Sequence, residues 1–162
     1  MPSVLILGAG FAGLELATGL SEDVPGEVDI TLVDSSDAFV FGYSKLNVMF
    51  GRRHLDEVRL PYARLAKPSV RFARETVVSI DPERRRVTTD ASVYEPDILV
   101  VALCADLDPA ATPGLVEENT ESYSVQGADR VSGLLPSFEG GDVVIGVLGP
   151  SSSARRRRSR RP

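Results

Sequence analysis

Val4-Leu5-Ile6-Leu7 runs without a break into Gly8-Ala9-Gly10-Phe11-Ala12-Gly13. A short, unbroken apolar run is the pattern of a strand buried on both faces of a parallel sheet. The following residues, Leu14-Glu15-Leu16-Ala17-Thr18-Gly19-Leu20, predict a helix with an apolar stripe of Phe11, Leu14, Ala17 and Leu20. The chain therefore passes from strand to helix over three glycines at Gly-x-Gly-x-x-Gly spacing. In such a turn Gly8 permits the tight bend, Gly10 lets backbone approach a pyrophosphate, and Gly13 lets helix and strand pack closely. The N-terminus of that helix offers free N–H groups and the positive end of its dipole. Val28-Asp29-Ile30-Thr31-Leu32-Val33 predicts a second strand ending at Asp34, 21 positions after Gly13. An acid belongs there if it is to hydrogen-bond a ribose, and it disfavours a 2′-phosphate. One right-handed strand–helix–strand unit so equipped predicts dinucleotide binding.

The chain beyond Asp34 is less uniform. Residues 35–66 show no clear period in their first half and carry Phe39, Phe41, Tyr43, Lys45 and Phe50, with Arg52 and Arg53 behind them. Val70-Arg71-Phe72 predicts a third parallel strand. Thr76–Ile80, Arg86–Thr89 and Ser92–Tyr94 are short β-rich runs broken by tight turns, which predicts an antiparallel meander over 76–94. Ile98 to Leu103 predicts another buried parallel strand. A connector with Pro109 and Pro113 leads to a predicted helix around Gly127–Leu135, and Val143–Val147 begins a further predicted strand.

Composition narrows the chemistry. With 162 residues, there is room for one domain, or one domain and a fragment of a second. The single Cys104 excludes an internal disulfide framework and a cysteine-rich metal site, and the single His54 argues against zinc. Cys104 reads as an inert thiol and His54 as a loop histidine, so no catalytic or metal-ligating set is expected. No apolar run approaches the roughly 20 residues of a membrane span, and no charged-then-apolar leader opens the chain. A cytoplasmic protein is expected. Net charge is −5, yet six of the 18 basic residues are the arginines between 155 and 161, which leaves −11 on residues 1–150. A body this acidic is a poor general partner for nucleic acid.

The aromatic loop and the meander, inserted before Ile98, are the features that point to a family. The organisation resembles the FAD half of the two-dinucleotide-binding flavoprotein oxidoreductases, the glutathione-reductase fold class. Within that class it is similar to the branch of type II NADH dehydrogenases and sulfide:quinone oxidoreductases. The resemblance rests on Gly8-Ala9-Gly10-Phe11-Ala12-Gly13-Leu14-Glu15, Leu32-Val33-Asp34, Phe39-Val40-Phe41, Ile80-Asp81-Pro82 and the run from Tyr94 to Leu103. It implies an α/β, Rossmann-like FAD-binding domain over residues 1–115, a parallel sheet with a small antiparallel β-meander. Residues 116–150 become a connector and the start of a truncated NAD(P)-binding-like domain.

The resemblance also implies site residues. FAD is the cofactor, with its pyrophosphate on Gly8, Gly10, Phe11, Ala12 and Gly13 and its ribose on Asp34, beside Ser35. Val78 presents backbone to the adenine, Lys45 approaches the flavin end, and Phe39 and Phe41 pack rather than stack on flavin. Ala102 belongs to a flavin-contact segment that usually ends Ala-Thr-Gly and here reads Ala102-Leu103-Cys104. Quinone and NAD(P)H or sulfide are the partners of the full-length family, which works at the inner face of a membrane.

Val143–Pro150 resembles the strand and glycine-rich turn that open the family's second domain, and the resemblance stops there. The expectation is a flavin holder that is inactive alone. Residues 151–162 are expected to be a disordered Arg-rich tail, read one base out of frame from a family-like Phe-Phe-Lys-Cys-Pro-Pro-Ala-Pro continuation. Two alternatives stay open: a stand-alone nucleotide-binding module working with a separate subunit, and a nucleic-acid or membrane-surface binder acting through its Arg-rich tail.

Overall fold

The computed structural model describes residues 1–146 apart from Ala66, Asp106, Leu107, Asn119 and Thr120. The expected strand end at Val147 and the Arg-rich tail lie outside the described residues. Strand β1 (Ser3–Leu7) leads into helix α1 (Phe11–Asp23), which returns to β2 (Asp29–Asp34). There follow β3 (Ala38–Val40), α2 (Ser44–Met49), α3 (Leu55–Val58), β4 (Arg59–Pro61), a 3-10 turn (Tyr62–Arg64) and β5 (Val70–Arg74). The meander is β6 (Val77–Asp81), β7 (Arg86–Thr89) and β8 (Val93–Tyr94). After it come β9 (Ile98–Val101), a short α4 (Leu115–Glu118) and α5 (Val125–Leu134).

β5, β2, β1 and β9 form one parallel sheet in that order. Strand residues alternate faces, and each face has its own core. Val4, Ile6, Ile30 and Leu32 pack under α1 with Leu14, Ala17 and Leu20. Leu5, Leu7 and Val33 pack on the other face with Ala73 and Val87, under the meander. Burial on both sides explains why β1 and β2 read as unbroken apolar runs. Helix α1 ends where Val24 donates to Leu20 O and Pro25-Gly26 turns the chain, Gly26 at φ +76°. Helix α5 starts at Ser124, whose hydroxyl accepts the Gly127 amide at 2.8 Å.

Three expectations need correcting. Ile98–Leu103 is not a doubly buried strand: β9 pairs only with β1 among the described residues and leaves Ile98 50% and Val101 58% exposed. An edge strand has one unpaired side, and from this run Leu99, Val100 and Ala102 reach the two cores. Phe11 leaves the α1 stripe and is 63% exposed, because its ring turns edge-on to Phe39 and Phe41 instead of the sheet. Residues 143–146 form no strand, and Val143, Val144 and Ile145 are exposed. The unpatterned stretch 35–66 is also more regular than its sequence: β3 and β4 pair antiparallel, Phe39 opposite Leu60. His54 there is structural, its amide donating to the Glu57 carboxylate at 2.7 Å at the start of α3.

Candidate dinucleotide-binding site

The loop between β1 and α1 is built as its glycines require. Gly8 sits at φ +97°, where side chains are strained, and a Cβ there would lie 2.6 Å from the Ala102 carbonyl oxygen. Its amide donates to Val33 O at 2.7 Å, and the Ala102 amide donates to Leu7 O at 2.8 Å, so β1, β2 and the segment after β9 converge on the turn. A Cβ on Gly10 would meet only the Cys104 sulfur, at an ordinary 3.7 Å. The protein thus leaves open the space that a side chain at Gly10 would fill. Helix α1 has Gly10 as its N-cap with no side-chain cap, and Leu14 makes the first intrahelical bond, to Gly10 O. The N–H groups of Phe11, Ala12 and Gly13 therefore lack intrahelical partners and present an anion site.

Asp34 stands beside this cradle at the end of β2. One carboxylate oxygen accepts the Ala9 amide at 2.7 Å, and the other accepts the Ser36 amide at 2.8 Å. Each oxygen has a second lone pair to offer. Ser35 is exposed, and its carbonyl accepts from the Arg74 guanidinium at 3.3 Å. Asp34 and Ser35 also line an open cleft of about 230 Å³, together with Val33, Glu75, Thr76, Val77 and Leu103.

Val78 follows Val77, a lining residue of that cleft. Val77 pairs with Thr89 and Ser79 with Thr88, so Val78 is the extra residue of a bulge, outside the ladder. Lys45 is committed elsewhere: its Nζ donates to the Tyr123 carbonyl at 2.6 Å and sits 4.4 Å from the centroid of the Tyr123 ring. Phe39 and Phe41 pack edge-on against Phe11, and Phe41 continues to Tyr43 with ring centroids 5.6 Å apart. Cys104 is a free, exposed thiol facing Gly10.

Two site residues escaped the sequence. Tyr62 is buried, and its hydroxyl donates to the Ala9 carbonyl at 2.8 Å. Burial, with a smaller contribution from the Asp34 charge, pushes its pKa up to about 12. It follows Leu60-Pro61 in an unpatterned stretch, and nothing there marks it. Glu75 follows β5 and accepts three hydroxyls, from Thr89 at 2.6 Å, Tyr94 at 2.9 Å and Ser92 at 3.0 Å. The acid at a strand end, followed by Thr88-Thr89 and Ser92, was the only signal for that clamp.

The fold and loop have clear counterparts. The sequence pattern of the pyridine nucleotide-disulphide oxidoreductase family matches residues 2–146. The chain belongs to that family. It is 28% identical over 131 residues to the type II NADH:quinone oxidoreductase of Staphylococcus saprophyticus, covering 80% of this chain and 33% of that protein. The Staphylococcus aureus enzyme of the same name is 34% identical over 102 residues, covering 62% of this chain and 25% of that protein. In structure the chain resembles the sulfide:quinone oxidoreductase of Aquifex aeolicus, with TM-score 0.70, 26% identity, and coverage of 85% and 32%. The NDH2 of Plasmodium falciparum, solved with NADH, shares the fold at TM-score 0.67 and 13% identity, with coverage of 81% and 28%. The chain thus spans a quarter to a third of the length of these proteins. FAD is the cofactor this membership supports, and the open space at Gly10, the free N–H groups of α1 and the adjacent Asp34 carboxylate fit it. Among the described residues, no helix is long and apolar enough to cross a membrane.

Proposed function

We propose that this chain is the FAD-holding part of a flavin-dependent oxidoreductase of the NADH:quinone or sulfide:quinone type. The observation that carries the proposal is the convergence of the uncapped α1 N-terminus and the Asp34 carboxylate on the loop from Gly8 to Gly13. Gly8, Gly10 and Gly13 shape the pyrophosphate site, and the amides of Phe11 and Ala12 bind it. Asp34, with Ser35 beside it, takes the adenosine ribose, and the backbone of Val78 meets the adenine edge. Ala102 stands toward the flavin, whereas Lys45 is held on the Tyr123 carbonyl. When bound, the flavin ring accepts two electrons from a donor and passes them to an acceptor. The protein's own part is to bind, orient and set the charge around that ring.

Residues 1–115 form the binding unit in this reading, and 116–150 are the connector and the start of a truncated NAD(P)-binding-like domain. Because the chain matches a quarter to a third of its relatives, binding rather than turnover is the activity proposed for these residues alone. The proposed setting is cytoplasmic, at the inner face of a membrane where quinone is reached. The test is FAD titration of the purified protein, read by flavin absorbance near ~450 nm. Saturable binding of FAD but not of FMN, which lacks the AMP half and therefore the pyrophosphate, is the expected result. Equal affinity for both, or none, overturns the reading.

A second reading, a nucleotide-binding module working with a separate subunit, is favoured by β9. Its outer edge carries exposed Ile98 and Val101 and has no strand partner among the described residues. Protein that binds FAD as a stable, isolated monomer speaks against it.

A further inference from the structure

We propose that Tyr62 is a positioning residue of the phosphate loop, its buried hydroxyl aiming the Gly10 amide at the pyrophosphate through the Ala9 carbonyl. The inference rests on the dinucleotide reading above.

Tyr62 is held independently of the loop. It opens the 3-10 turn after β4, its amide donates to Asp37 O at 3.0 Å, and its ring lies 4.7 Å from that of Phe72, centroid to centroid. From this fixed base its hydroxyl reaches the Ala9 carbonyl at 2.8 Å. Ala9 is fully buried, so that carbonyl has no water to turn to. A trans peptide is planar, with its C=O and N–H pointing in opposite directions. Drawing the Ala9 carbonyl inward to Tyr62 therefore turns the Gly10 amide away from Tyr62, and in this proposal that amide meets the ligand in the space left open beside Gly10. The preceding peptide is fixed separately, by the Ala9 amide on Asp34. Two consecutive peptide planes of the loop are thus set by side chains 25 and 53 residues away in sequence. Tyr62 remains a donor at all physiological pH values, because its pKa lies near 12.

A residue that only fills the core would affect every ligand alike. A residue that aims a phosphate-binding amide affects phosphate-bearing ligands alone. The test is calorimetric titration of the 162-residue protein and its Tyr62→Phe variant with ADP, adenosine and FAD. Tyr62→Phe is expected to weaken ADP and FAD about tenfold, the worth of one charge-assisted hydrogen bond from the Gly10 amide that is no longer aimed, while adenosine binding stays unchanged. p-Aminophenylalanine in place of Tyr62 restores a donor at the ring tip and is expected to restore the ADP-over-adenosine preference. An equal loss for ADP and adenosine, or no loss, overturns the proposal. If Tyr62→Phe does not fold, the aminophenylalanine protein decides: folded but without the wild-type preference, it overturns the proposal. Wild-type protein that binds neither ADP nor FAD overturns the underlying site assignment, a result distinct from an unchanged variant.

Discussion

A Cβ placed on Gly13 would lie 1.9 Å from the Gly8 carbonyl oxygen, closer than any packing can absorb. The contact is between backbone atoms at the start of α1 and the end of β1, so relief requires moving the helix off the sheet. Gly13→Ala is therefore expected to destabilise the fold by about 3 kcal/mol or more, the upper range of overpacking. Gly10→Val differs in kind, since a Cβ there meets only the Cys104 sulfur at 3.7 Å. That variant should melt close to the wild type yet bind no FAD. Thermal melting and FAD titration of both variants check the contrast.

Asp34→Ala removes the acceptor of two backbone amides, Ala9 and Ser36, together with the proposed ribose contact. Loss of a charged hydrogen-bond partner costs roughly 1.5–3 kcal/mol. FAD affinity should fall by that amount. A larger drop for FAD than for inorganic pyrophosphate in competition titrations is the expected signature of a ribose role.

Glu75 ties the meander to the parallel sheet. Burial works against its charged form, but the hydroxyls of Thr89, Tyr94 and Ser92 outweigh it and hold the carboxyl below its usual range. A depressed folded pKa gives stability that is fully present above the ordinary glutamate value and is lost as pH falls through the folded value. The melting temperature of the wild type should therefore fall on acidification below about pH 4.3, the unfolded glutamate value. In Glu75→Gln that acid limb should be shallower, and stability at neutral pH lower. Melting curves collected from roughly pH 3 to pH 7 measure both.

Cys104 is exposed, and its sulfur faces the backbone of Gly10. A ligand lying along the loop covers that thiol. Its rate of reaction with a chromogenic disulfide reagent should fall several-fold when FAD is bound, and should not change with FMN. An identical rate with and without FAD would move the cofactor away from Gly10.

The 162-residue protein is expected to show no steady oxidation of NADH or sulfide with a quinone acceptor. Flavin bound without turnover is the result that fits a match to a quarter to a third of the relatives' length. Stopped-flow bleaching of the bound flavin by either donor measures it directly.

Local patterns carried the sequence reading as far as they reached. The β1–loop–α1–β2 unit and Asp34 were legible because three glycines and an acid stand at fixed spacing between an apolar run and a helical stripe. The meander was legible because β-rich runs alternate with turn residues such as Asp81-Pro82. β3 and β4 were not, since each has only three residues and the pair is joined across some twenty positions of sequence. The run at Ile98 announced a strand but not its neighbours, and burial of a strand depends on what lies beside it. Phe11 satisfied the helical angle of the α1 stripe, yet at the first turn its ring met Phe39 and Phe41 before it could meet the sheet. Tyr62 and Glu75 act across 53 and up to 19 residues, and such contacts leave no periodic trace.

The Ala9 peptides take their orientation from Asp34 and Tyr62, and the Gly8 turn is closed from above by Ala102. Asp34 arrives with β2 and Tyr62 before β5, but Ala102 reaches the loop only after the chain has passed β5 and returned to β9. Closing such long loops is an entropically late event in folding. A peptide of the first thirty or so residues would contain every glycine of the motif and none of its shape. Nucleotide binding is thus a property of the completed sheet, and its onset during refolding would date the moment at which β9 docks.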